Sequence, residues 1–94
     1  MKPPFTEQYV KIRLDFFPNW VFNNNGIERD IKCKDFVEAF GLMTQIAAEA
    51  ERLNHHPEWS NVYNKIHIRL TTHDSGGVTD KDFELAEIIN KLIK

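Results

Sequence analysis

Residues 51–82 read ERLNHHPEWSNVYNKIHIRLTTHDSGGVTDKD, and the periods within them decide the architecture. The clearest runs from Lys65 to Thr72, where Ile66, Ile68 and Leu70 alternate with Lys65, His67, Arg69 and Thr71. That is the period of a strand with one buried face. Glu58 to Asn64 supplies a partner strand, with the hairpin turning at Asn64-Lys65. Upstream, Pro57 pushes the residue before it out of helical backbone, so a helix arriving from the N-terminal side ends there. Downstream, Ser75-Gly76-Gly77 reads as a flexible turn and Thr79 as a helix N-cap, with Asp82 three residues on, as in a capping box.

Outward from this stretch, Asp35 to Leu53 has the strongest helical pattern. Phe36, Phe40, Met43, Ala47 and Ala50 recur at three- and four-residue steps as the expected inward stripe, widened by Val37 and Ile46. Trp20 to Phe22 and Ile27 to Cys33 flank Asn23-Asn24-Asn25-Gly26, where Asn-Gly supports the positive φ angles of a tight hairpin turn. Ile27, Arg29, Ile31 and Cys33 share one parity, which places Arg29 on the apolar side. A last helix is expected from Asp80 to about Ile93, with Phe83, Ala86, Ile89 and Ile93 inward. Leu85, Ile88 and Leu92 broaden its apolar surface, so a partner subunit is expected against it. With a short helix at Glu7 to Asp15, the order is β-β-α-β-β-α after an N-terminal helix. The expected class is α+β: two layers, a four-stranded antiparallel sheet with helices covering one face.

The 94 residues are expected to form one domain, 1–94, whose small core invites oligomerisation. Twelve Lys and Arg stand against 14 Asp and Glu, a net charge of -2 without long blocks of either sign. No electrostatic footprint for nucleic acid or an anionic membrane follows from that balance. Cys33, the single cysteine, excludes an internal disulfide and any Cys-x-x-Cys site. Met1 to Thr6 has no signal-peptide core and no apolar run approaches the ~18 residues of a membrane span. A soluble cytoplasmic protein is the expectation.

Three of the four histidines, His55, His56 and His73, sit at the ends of predicted elements, where functional groups are often mounted. His67 falls within a strand and reads as a solvated sheet residue. Neighbours on a regular helix point about 100° apart, but at an unravelling helix end His55 and His56 can converge. A zinc site from His55, His56, His73 and Asp74 is disfavoured, because adjacent histidines chelate one ion poorly. Nucleophilic catalysis has no serine elbow, and Cys33 is remote in sequence. General acid/base chemistry without a metal needs only groups that titrate near neutrality and a pocket, and these residues permit it best.

Glu51, then His55-His56-Pro57, Tyr63, His73 and Asp82, at intervals of three, five, nine and eight intervening residues, resemble the signature of the pterin-4a-carbinolamine dehydratases. Asn54-His55-His56-Pro57-Glu58-Trp59, Thr72-His73-Asp74 and Gly77-Val78-Thr79 are similar to the family's flanking text. The resemblance covers about Trp20 to Ile89. It implies dehydration of 4a-hydroxytetrahydrobiopterin to quinonoid dihydrobiopterin, in tetrahydrobiopterin recycling for aromatic amino acid hydroxylases, with no metal or added cofactor. His55 and His73 are then the acid/base pair, His56 holds and polarises the substrate, and Asp82 orients an imidazole. Asn54, Thr71, Thr72 and Asp74 correspond to pterin-contacting positions, and Glu51 matches the signature. A homodimer or homotetramer is implied as well. The alternative the family offers is a binding module, either a dimerisation cofactor of a transcription factor or an assembly factor without dehydratase activity.

Overall fold

The computed structural model describes residues 2–93. Helix α1 spans Glu7–Arg13 and runs into a 3₁₀ turn at Leu14–Phe16. Strands β1 (Val21–Asn23) and β2 (Gly26–Lys32) follow, then α2 (Phe36–Leu53), β3 (Glu58–Val62), β4 (Lys65–Leu70), a 3₁₀ turn at His73–Ser75 and α3 (Asp80–Leu92). The strands form one antiparallel sheet in the order β1-β2-β4-β3, the expected α+β arrangement. Ile27, Ile31, Ile66, Ile68 and Leu70 are buried on one face, where they join Ala39, Ile46 and Ala50 of α2 and Phe83, Ala86 and Ile89 of α3. Each fully buried aliphatic side chain contributes roughly 1.5–3 kcal/mol relative to exposure. The opposite face carries Glu28, Asp30, His67 and Arg69, joined by ion pairs. Arg29 is on the core side, as its parity predicts, and donates to Asn90 Oδ1, which also accepts from the Trp20 indole.

Both hairpin turns differ in detail from the expectation. In the first, Asn24 and Asn25 hold the left-handed φ values, 49° and 65°, between the paired residues Asn23 and Gly26. Asparagine tolerates that region, as a two-residue turn with two positive φ angles requires. Gly26 is instead needed for space: a Cβ there would lie 2.5 Å from Nη1 of Arg69. That guanidinium donates to the carbonyls of Asn23 and Asn24 at 2.7 and 2.6 Å and ties β4 to the turn. The second turn falls at Tyr63-Asn64, one residue earlier than expected, with Tyr63 at φ 53°. Asn61 bridges it by donating to the carbonyls of Tyr63 and Lys65.

The helices show the largest correction. The inward residues of α2 are Ala39, Ile46 and Ala50, with Leu42, Met43 and Leu53 packed against the core. Phe36, Val37 and Phe40 are exposed by 49%, 79% and 58%, and Ala47 is exposed too. The expected stripe is therefore rotated, and its aromatic part forms an outer apolar face on which Phe36 packs against Phe40. On α3, Phe83, Leu85, Ala86 and Ile89 are buried within the chain, while Ile88 and Leu92 are half-buried. Leu85 is fully buried, and Phe83 meets Phe17, Phe5 and the guanidinium of Arg13 from the N-terminal segment. A more exposed apolar surface than that of α3 lies on α2. The N-terminal segment is further secured by the Phe5 N–H, which donates to the Val78 carbonyl at 2.8 Å.

Candidate functional site

The C-terminus of α2, the start of β3, the end of β4 and the start of α3 meet at one end of the sheet. Asn54 caps α2 in the left-handed region, φ 52° and ψ 44°, a conformation Asn adopts with little cost. The turn it makes sends the next two side chains apart. His55 points inward and is 8% exposed, while His56 remains outside. The adjacent imidazoles do not converge; each meets a carboxylate of its own.

For His55 that carboxylate is Asp82, fully buried, with Oδ1 2.5 Å from the imidazole Nε2. Oδ2 accepts from the Thr79 backbone N–H at 2.9 Å and from the Thr72 hydroxyl at 2.8 Å. The Thr72 and Thr79 hydroxyls lie 2.7 Å apart. A buried carboxylate is tolerable only when its oxygens are bonded in this way. Thr79 and Asp82 also form the capping box predicted for α3. Capping and imidazole binding are thus joint duties of one side chain.

His56 Nε2 lies 2.9 Å from Glu51 Oε1, both groups well exposed at the end of α2. His73 leads the 3₁₀ turn after β4, and its Nε2 lies 2.8 Å from Glu58 Oε2 at the start of β3. Glu58 sits directly opposite Arg69 across the sheet, its Oε1 3.5 Å from Arg69 Nε. All three imidazoles therefore present Nε2 to a carboxylate, which leaves Nδ1 as the nitrogen facing away from it. Glu58 is the member of this set that sequence reasoning passed over. Its signal was present, since an acid opposite an arginine follows once the hairpin register is known.

The remaining predicted positions divide. Thr72 and Asp74 line a cavity of about 290 Å³ that is bounded also by Ser75, Thr79 and Lys2. The histidines are not among its lining residues. The Thr71 hydroxyl is turned the other way and donates to the Asn25 carbonyl at 2.7 Å, anchoring the first hairpin. Asn54 is exposed beside the histidine pair. Among the described residues, no group of three or more His, Cys, Asp or Glu side chains is gathered closely enough to hold a metal ion. Burial pushes the Cys33 thiol up, assisted by Glu38 and Asp35, a setting opposite to that of a thiolate nucleophile.

His67 is more engaged than a solvated sheet residue. Nδ1 lies 2.6 Å from Asp30 Oδ1 and Nε2 3.0 Å from Glu28 Oε1. Only the imidazolium can donate from both nitrogens. The hydrogen bond to Asp30 accordingly raises its pKa, with the charges of Asp30 and Glu28 adding to this against a lowering by burial.

The fold and the carboxylate set against each imidazole define a two-layer α+β class of protein. The comparisons with known proteins name the family within it. The model of the family "Pterin 4 alpha carbinolamine dehydratase" matches residues 3–92, and the chain belongs to that family. A protein of Prochlorococcus marinus (strain NATL2A) is 48% identical over 87 residues, covering 88% of this chain and 92% of the relative. One of Burkholderia vietnamiensis (strain G4 / LMG 22486) is 45% identical over 89 residues, covering 93% and 87%. Both are named "Putative pterin-4-alpha-carbinolamine dehydratase". The crystal structure of a "transcriptional coactivator/pterin dehydratase" from Brucella melitensis superposes with a TM-score of 0.91 at 40% identity, covering 97% of this chain and 99% of the other.

Proposed function

We propose that this protein dehydrates 4a-hydroxytetrahydrobiopterin to quinonoid dihydrobiopterin and water by histidine general acid/base catalysis. The observation that carries the reading is the buried Asp82–His55 pair, set at the end of the sheet where His56 and His73 are also mounted. In the reaction the C4a–O bond breaks as an acid protonates the departing hydroxyl, while a base takes the N5 proton. The electron pair released on N5 closes the C4a=N5 bond. His55 and His73 are the acid/base pair. His56 holds and polarises the pterin, and Asp82 fixes the tautomer of His55, as carboxylates do for histidines in other acid/base sites.

Asn54, Thr72 and Asp74 contact the pterin through their side chains in this reading, and Thr71 through its backbone. The reaction recycles tetrahydrobiopterin for aromatic amino acid hydroxylases in the cytoplasm, with residues 1–94 acting as one domain. Stopped-flow dehydration of synthetic 4a-hydroxytetrahydropterin tests this. Acceleration by the wild-type protein, reduced on the order of 100-fold in His55→Ala and in His73→Ala, is expected. Full activity in His55→Ala, His56→Ala and His73→Ala alike would refute the site.

A second role is favoured by the outer apolar face of α2. Phe36, Val37 and Phe40 form an exposed surface suited to another subunit or to a protein partner. We assign it to assembly as a homodimer or homotetramer, with a transcription-factor cofactor role as the alternative occupant. Sedimentation showing only monomer at micromolar concentration would refute the assembly.

A further inference from the structure

The ion pairs on the open face of the sheet end at the site. Arg69 is held by the carbonyls of Asn23 and Asn24 and by Glu28 Oε2 at 2.8 Å. From that anchored position its Nε reaches Glu58 Oε1 at 3.5 Å, and Glu58 Oε2 takes His73 Nε2 at 2.8 Å. His73 itself is 75% exposed and sits in a one-turn 3₁₀ segment with little packing around it. Glu58 is the contact that gives the ring an orientation.

We propose that Glu58 is the positioning residue for His73: it holds the neutral imidazole in the Nε2–H tautomer and leaves Nδ1 as the nitrogen that exchanges a proton with the substrate. The inference rests on His73 belonging to the acid/base pair. A carboxylate only accepts, so the ring nitrogen against it must carry the hydrogen. A neutral imidazole has one such hydrogen, and the lone pair is then on Nδ1. Arg69 fixes which oxygen does this, because it engages Oε1 and leaves Oε2 for His73.

Arg69 also makes the conservative substitution informative. In Glu58→Gln the single amide oxygen is drawn to Arg69, which can only donate. The amide N–H groups then face His73 and require an acceptor there, which moves the ring hydrogen to Nδ1. Glu58→Ala removes the carboxylate's part of the preference and leaves only the ring's own weaker bias towards Nε2–H.

The test pairs ¹⁵N NMR of the histidine rings at about pH 8.5, where ordinary imidazoles are neutral, with the kinetics of wild type, E58Q, E58A and H73A. The expected result is Nε2–H at His73 in wild type, a mixture in E58A and a shift towards Nδ1–H in E58Q. In both variants kcat falls about tenfold with KM within about twofold, a part of the acid/base contribution. Thermal melts of these edge-strand variants establish folding. The inference is overturned if His73 is Nδ1–H in wild type, or if both variants keep the wild-type tautomer. Unchanged kcat in E58A and E58Q beside an impaired H73A overturns it as well. Full activity in H73A would instead remove the catalytic reading of His73, and the NMR spectra would still decide whether Glu58 sets its tautomer.

Discussion

Replacing Gly26 with alanine should destabilise the protein only while Arg69 is present. Gly26 lies outside the left-handed φ region, so alanine is compatible with its backbone. The obstacle is the Arg69 guanidinium, with Nη1 and Cζ at 2.5 and 2.6 Å from the position of the new Cβ. Its displacement breaks bonds to the Asn23 and Asn24 carbonyls and to Glu28. A hydrogen bond to a charged group is worth about 1.5–3 kcal/mol when shielded. At this surface, where the guanidinium and the carbonyls recover water, about 2 kcal/mol for the set is reasonable.

Alanine returns about 0.4–1 kcal/mol by restricting the unfolded chain. The net loss is about 1–1.5 kcal/mol, or roughly 5–10 °C in Tm for a chain of this size. In an Arg69→Ala background the obstacle is gone, and Gly26→Ala should stabilise by about 0.4–1 kcal/mol. Urea denaturation of the four proteins gives the coupling directly, expected near 2 kcal/mol. An equal cost of Gly26→Ala in both backgrounds would show that Arg69 is not what demands the glycine.

Asp82→Asn should fold but lose about 100-fold in kcat, because the Thr79 N–H requires the amide oxygen and so turns the amide nitrogen towards His55; activity retained in a folded variant would refute this. For His67, a pKa raised in the folded state means stability fully present below the unfolded value of 6.5 and lost as pH rises through the raised one. The difference in urea midpoint between wild type and His67→Gln should thus be largest near pH 6 and shrink by pH 9; a flat difference would count against the pairing with Asp30. Phe40→Glu should lower the sedimenting mass while changing monomer stability by no more than about 0.5 kcal/mol. An unchanged mass would place the assembly surface elsewhere.

The sheet was legible because each strand of its centre has one buried face. Ile66, Ile68 and Leu70 specify that face in β4, and an isolated exception such as Arg29 does not disturb the parity. Helix α2 was harder, since it bears apolar residues on two sides. Recurrence at three- and four-residue steps put Phe36 and Phe40 inward, whereas the helix packs through Ala39, Ile46 and Ala50 and leaves the phenylalanines outside. Periodicity reports that a face is apolar and is silent on whether the same chain covers it.

The candidate residues His55, His73 and Asp82 stood out by their spacing, but the partners of His73 depended on register. A turn centred on Asn64-Lys65 would set Glu58 opposite Thr71; the turn at Tyr63-Asn64 sets it opposite Arg69. The capping and imidazole roles of Asp82 also looked like rivals in one dimension. In three dimensions the two oxygens of a carboxylate serve both.

That sharing makes the beginning of α3 a cooperative switch for the site. Asp82 holds the Thr79 amide on Oδ2 and the His55 imidazole on Oδ1, so an opening that carries Asp82 away releases both. Local opening of the first turn of α3 therefore dismantles the imidazole pair while the central strands remain paired, in the manner of a small independent unit of stability. On gentle heating the proposed activity is expected to fade before the sheet unfolds, and protection of the Thr79 amide charts the loss.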